Sequence, residues 1–172
     1  GLFSLDKRSA GKLQFGFDTD IGQRTETNEL LQDLISYTLY SARANARYNH
    51  SSKFGLGTDL LYQQRDYQQL SSQGIPYHDI QTISLGSSAY YIYSPKLDFF
   101  VNYEYVISES GSNSTDFINN TVQNYFLGME GDITPKLTGN LAIGFGTRDY
   151  DLNSIGSESA LLFDAGLLWN WR

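Results

Sequence analysis

A lysine at a tight turn, an alternating strand and, in three of four copies, an arginine twelve residues later recur along the chain. The lysines are Lys12, Lys53, Lys96 and Lys136, spaced about 40 residues apart and followed by Leu13, Phe54, Leu97 and Leu137; the arginines are Arg24, Arg65 and Arg148. Two of the turns are nearly identical, Ser94-Pro95-Lys96-Leu97 and Thr134-Pro135-Lys136-Leu137, and a third is Ser51-Ser52-Lys53-Phe54. A period of about 40 residues holding two strands fits propeller blades as well as hairpins. Loop asymmetry separates the two.

Period-two alternation bounded by turn residues predicts eight strands at 12–24, 34–48, 53–67, 78–93, 96–108, 120–133, 136–150 and 159–172. Connections near Asn49–Ser52, Ser94–Pro95 and Thr134–Pro135 are short, whereas Thr25–Asp33, Gln68–Tyr77, Glu109–Asn119 and Asp151–Glu158 are longer and polar. Short turns at one end and long loops at the other characterise outer-membrane barrels. Twelve residues at about 3.3 Å each, tilted near 40°, give a height of roughly 30 Å, enough to span a bilayer core. The reading is an all-β, antiparallel up-and-down transmembrane β-barrel. Residues 1–172 form one outer-membrane barrel domain, with 1–11 as an N-terminal lead.

The two faces of each strand differ in kind. Leu97, Phe99, Val101, Tyr103, Tyr105 and Ile107 share one face of the fifth strand; Asp98, Asn102, Glu104 and Ser108 share the other with Phe100 and Val106. In the second strand Tyr37 and Leu39 fall with Arg43 and Arg47, a less clean register. Periodicity leaves open which face is outside, since a soluble, lipocalin-like ligand-binding barrel turns its apolar face inward. Three features favour lipid outside. Gly16, Gly55, Gly57, Gly86, Gly128, Gly144 and Gly146 cluster on the polar face, where a narrow lumen needs small residues. Tyr48, Tyr62, Tyr67, Tyr93, Tyr105 and Tyr150 lie near strand ends, as an aromatic girdle requires. The even lysine-to-arginine spacing places both charges on the polar face.

Composition limits the function classes. A net charge of -7 argues against nucleic-acid binding, which needs clustered Lys and Arg. No apolar run approaches the length of a transmembrane helix. The absence of cysteine excludes disulfides and thiolate chemistry. No signal peptide is visible at Gly1-Leu2-Phe3-Ser4, so the chain reads as processed, recloned or cut from a longer one.

The phrases "YSPKLDFFVNYEY", "NYFLGMEGDITPKLTGNLAIGFGTRDYD" and "LLWNW" resemble the beta-barrel porin 2 family, most clearly over residues 90–172. That resemblance implies a bacterial outer-membrane protein linked to exopolysaccharide and capsule export: a porin-like channel component whose partners are outer-membrane lipid, polysaccharide and export-machinery proteins. It also implies a barrel larger than eight strands. The chain stops at Arg172, about where a fifth turn lysine is due, so a sector of a larger barrel stands beside a closed eight-strand one. A closed eight-strand barrel has room only for side chains and would act as a plugged anchor or binding module.

The lumen-lining candidates are Asp18, Asp20, Arg43, Arg47, Asp59, Asp98, Phe100, Glu104, Glu130, Asp132, Arg148 and Asp164, with Tyr37, Tyr90 and Phe126 as further inward aromatics. Over an aqueous lumen, aromatics suit sugar-ring stacking; in a plugged barrel, the charges pair with one another. The periplasmic-rim candidates Lys12, Lys53, Lys96 and Lys136 read as solvated anchors at the membrane edge. The Arg65-Asp66-Tyr67 and Arg148-Asp149-Tyr150 endings read as anchors at the opposite rim. Residues 28–35 carry helical spacing at Leu30, Leu31, Leu34 and Ile35, so this segment is either a short helix or the start of the second strand.

Catalysis is not expected. His50, Ser51 and Ser52 lie in a short turn without a nearby acid in sequence to orient the imidazole. Asp18 and Asp20 are about 7 Å apart along a strand face, the spacing of a polar wall. Two histidines without cysteine make a poor zinc site, and no cofactor or metal is implied.

Overall fold

Alternation with period two lets each strand bury one face while its backbone groups pair sideways, and every regular element follows that rule. The computed structural model describes residues 3–7, 12–28, 33–67, 78–110, 119–151 and 156–169. The strands are β1 (Phe3–Lys7), β2 (Leu13–Asn28), β3 (Asp33–Asn49), β4 (Phe54–Tyr67), β5 (Ile80–Ser94), β6 (Leu97–Ser110), β7 (Asn120–Thr134), β8 (Leu137–Tyr150) and β9 (Ser157–Trp169). They form one antiparallel sheet in chain order, β1 to β9. Among the described residues β1 and β9 do not pair with each other, so the sheet is open at both edges. No helix long and apolar enough to cross a membrane is found among the described residues.

Eight long strands match those predicted, with three differences. The expected N-terminal lead contains β1, paired with β2 from Phe3↔Thr19 to Lys7↔Phe15. Thr25 to Asn28, expected in a loop, continue the ladder to Asn28↔Asp33. Their polar composition does not prevent backbone pairing. The helical option fails at Asn28 and Asp33–Ile35, which are strand; residues 29–32, loop residues 111–118 and the terminal 170–172 lie outside the described residues.

The repeated turn has a local mechanism. Ser94 Oγ accepts a hydrogen bond from the Lys96 backbone N–H (3.2 Å), and Thr134 Oγ1 accepts one from Lys136 (3.3 Å). Ser51 Oγ accepts from both Lys53 and Phe54 (3.2 and 3.1 Å). Each hydroxyl ties its own turn two residues on, and proline between them fixes φ in two cases. The register shifts between Ile92 and Ser94 and between Asp132 and Thr134, leaving Tyr93 and Ile133 as the extra residues of two equivalent bulges. The carbonyls of Lys12, Lys53 and Lys96 accept from Asn49, Ile92 and Asp132 of the adjoining hairpin. Thus the turns at Lys53 and Lys96 also extend the neighbouring ladder.

The apolar face is the exposed one. Phe17, Leu56, Leu85, Val101, Leu127, Ile143 and Phe163 all lie on it, from 48 to 76 % exposed, and no large side chain is fully buried among the described residues. At the short-turn end this outer face carries Tyr48, Phe54, Tyr91, Tyr93, Phe99 and Trp169; further along come Tyr40, Tyr62, Tyr103 and Tyr125. Beyond the second row it turns polar, at Gln64, Gln81, Gln123, Thr147 and Ser159. The second-row tyrosines point their hydroxyls toward that collar: Tyr62 donates to Gln64 (2.7 Å), and Tyr103 and Tyr125 donate to Gln123 (3.3 and 3.2 Å). From Tyr48 to Tyr40 the strand rises about 26 Å, or roughly 20 Å at a 40° tilt, against about 25 Å for the apolar band of outer-membrane barrels.

Tyr67 and Tyr150, expected in that girdle, face the other way. Tyr67 packs on Tyr37 with ring centroids 5.2 Å apart, and the Tyr150 hydroxyl donates to Glu158 (3.3 Å). Each stands two residues after an inward arginine, so the even spacing that turns Arg65 and Arg148 inward turns the tyrosine inward too.

Sidedness makes a direct prediction. Leu127→Arg, in the middle of the outer band, should destabilise the bilayer-inserted form by about 2–4 kcal/mol. Ala160→Arg, on the inner face of β9, should change it little. Urea titration of protein refolded into lipid vesicles measures both.

Candidate functional site

The inner face is built from the opposite parity of the same strands. Register pairs Asp18 with Arg43, Arg47 with Gly57, Asp59 with Gly86, Asp98 with Glu130, Phe100 with Gly128, Glu104 with Asn124, Asp132 with Thr138, Asp164 with Ala142 and Arg148 with Glu158. Asp20 pairs with Ser41 on the same face. All twelve charged and aromatic residues expected to face inward therefore share one surface. Lys12, Lys53, Lys96 and Lys136 are exposed together at the short-turn end; the Lys53 ammonium lies 5.9 Å from the Tyr91 ring centroid.

Arg47 is the centre of the site. Its guanidinium reaches Asp98 Oδ2 at 2.5 Å and Glu130 Oε1 at 3.1 Å, and lies 4.0 Å over the Tyr90 ring. Asp98 is on β6 and Glu130 on β7, three and four strands away from β3. Four strand spacings are about 19 Å of wall. Side chains close that gap only because the sheet curls around this face, making it concave. The group is partly shielded, with Arg47 25 % and Asp98 19 % exposed.

Small residues make the wall thin where large ones cross it. A Cβ at Gly57 would sit 3.0 Å from Tyr90 Cε2, so the ring lies against a bare backbone with Arg47 on its other face. A Cβ at Gly128 would meet Phe100 Cζ at 2.6 Å, and one at Gly144 would meet Phe126 Cδ1 at 2.5 Å. Tyr90, Phe100 and Phe126 are thus each laid over a glycine of the adjacent strand instead of projecting across the interior. Polar side chains fill the intervals. Glu104 accepts from Ser84 (3.0 Å) and Asn124 (2.9 Å), Asn102 donates to Ser88 (2.9 Å), and Thr138 donates to Asp132 (2.9 Å). Arg43 pairs loosely with Asp59 at 3.6 Å, both nearly half exposed, and Arg24 with Asp20 at 2.6 Å. Gln14, Arg43, Asn45, Asp59, Ser88 and Tyr90 line an open groove between β2 and β5.

Sequence reasoning found the inward aromatics and charges and set Asn102 and Asn140 on the same face, but missed the amides Asn45 and Asn124, although strand parity alone would have placed them. The Arg47 contacts, 51 and 83 residues away in sequence, leave no local signal. His50 sits with its ring centroid 6.3 Å from that of Tyr48, while the Ser51 hydroxyl is engaged in its turn. No group of three His, Asp or Glu residues that could hold a metal occurs among the described residues.

No family model and no curated protein matches the chain. A solved structure does: the outer-membrane expressed OmpT of Vibrio cholerae is similar at a TM-score of 0.56 and 14 % identity, covering 98 % of this chain and 55 % of that one. The fold is that of an outer-membrane β-barrel wall. At this identity the likeness speaks for the fold alone, and the chain spans about half the length of that neighbour.

The glycine and aromatic pairs give a test. Gly144→Val should cost about 1–3 kcal/mol through overpacking against Phe126. Adding Phe126→Ala should recover part of the loss. Denaturant midpoints of the single and double variants measure the coupling.

Proposed function

We propose that this chain forms the wall of a porin-like channel in a bacterial outer membrane, its outer face in hydrocarbon and its inner face along a water-filled path for hydrophilic solutes. The observation that carries the reading is sidedness: an exposed apolar band between two aromatic rows on one face, and charged residues, amides and glycines on the other. A bilayer satisfies the first face and water the second. Outer-membrane lipid is the partner that the outer band fits.

The finer reading takes exported polysaccharide as the cargo, as the resemblance to the beta-barrel porin 2 family implies, with export-machinery proteins as further partners. Phe100 and Phe126 beside Asn102 and Asn124 offer ring faces and hydrogen-bonding groups of the kind that sugars use. We assign the wall no catalytic role. We take the barrel as wider than eight strands, because among the described residues the sheet is open between β1 and β9 and the structural neighbour contains almost as much chain again.

The experiment is refolding in detergent, followed by gel mobility with and without heating and by planar-bilayer recording. Discrete conductance steps from a heat-modifiable species are the expected result, and added polysaccharide fragments should block them. A compact, heat-shifted monomer that never conducts would replace the channel with a plugged anchor. Clean folding without detergent would overturn the membrane assignment.

A further inference from the structure

We infer that Arg47, bridged to Asp98 and Glu130, sets both the width and the ion preference of the short-turn end of the lumen; the inference rests on the channel reading above. The argument is geometric. Arg47 stands two residues from the end of β3, Asp98 is the second residue of β6 and Glu130 lies near the end of β7, so all three meet at the mouth beside the turn lysines. Elsewhere the described inner-face ion pairs are local. Asp20 and Arg24 share a strand, and Arg43 and Asp59 are on neighbouring ones. Arg47 alone among the described ion pairs spans non-adjacent strands, crossing above β4 and β5, where Gly55, Gly57 and Ser88 leave it room. A side chain held across the concave face in this way narrows the opening at its own level.

Its charge has a separate effect. Asp98 and Glu130 face each other in register, with Asp132 two residues along β7 and held by Thr138. The guanidinium is the countercharge placed between the first two. Without it the mouth presents paired carboxylates to solution, and rings of carboxylates draw cations. The Tyr90 ring beneath Arg47 fixes the guanidinium from below and has no charge of its own to offer in its place.

The test is single-channel recording of the refolded protein in a salt gradient, with the heat-shifted band as the check on folding. Arg47→Ala should raise conductance by roughly half or more and move the reversal potential toward cation preference. Arg47→Lys keeps the charge but cannot fork to two carboxylates, so it should raise conductance with little change in preference. The Asp98→Asn, Glu130→Gln pair should shift preference toward anions. Arg47→Ala channels with wild-type conductance and reversal potential overturn the inference while leaving the channel intact. If Arg47→Ala does not fold, unchanged behaviour of Arg47→Lys and the carboxylate pair overturns it equally. A folded wild-type protein that never conducts overturns the channel reading and this inference with it.

Discussion

Backbone pairing at a period of two is the constraint from which the other features follow. Within hydrocarbon every N–H and C=O group needs a partner in the protein, and a sheet supplies these from its neighbours while leaving side chains to alternate between solvents. Each strand here is hydrogen-bonded to the next one in sequence, so a slip of one residue would turn a whole strand inside out. The two irregularities, at Tyr93 and Ile133, fall at strand ends, where only the last pair is shifted. The remainder of β5 and β7 keeps its parity.

Concavity then decides what the inner face can hold. A curled wall crowds side chains on its inner surface, and this chain relieves the crowding by laying Tyr90, Phe100 and Phe126 over glycines of adjacent strands. Arg43 and Asp59 on that face are left nearly half exposed, a condition in which isolated ion pairs contribute little to stability. Arg47 is different because its partners belong to distant strands. Its contacts report curvature, and they connect parts of the wall that the backbone ladder joins only through intermediates.

Much of this was legible in the sequence. Alternation placed all eight long strands and the inner side of Asp18, Arg43, Asp59, Asp98, Glu104 and Asp164, because a strand's side chains have only two directions. The Ser/Thr-Pro-Lys turns were equally visible, since their hydrogen bonds are made within three residues. Strand ends were harder: Thr25 to Asn28 look like loop by composition, but pairing with Asp33–Ser36 holds them in the ladder. Tyr67 and Tyr150 were misplaced because residue type was given weight over parity. The short β1 and the reach of Arg47 depend on tertiary curvature and partners far away in the chain, for which no local pattern exists.

The turns have one more consequence. Because Ser51, Ser94 and Thr134 close their own reversals, a strand pair and its turn form a unit that carries its own geometry. Duplicating or deleting one such unit changes the strand count by two and leaves the inside and outside of every other strand as before. Ancestral growth of a wall like this one can therefore proceed by copying hairpins, with circumference rising in even steps and no compensating change elsewhere in the sequence.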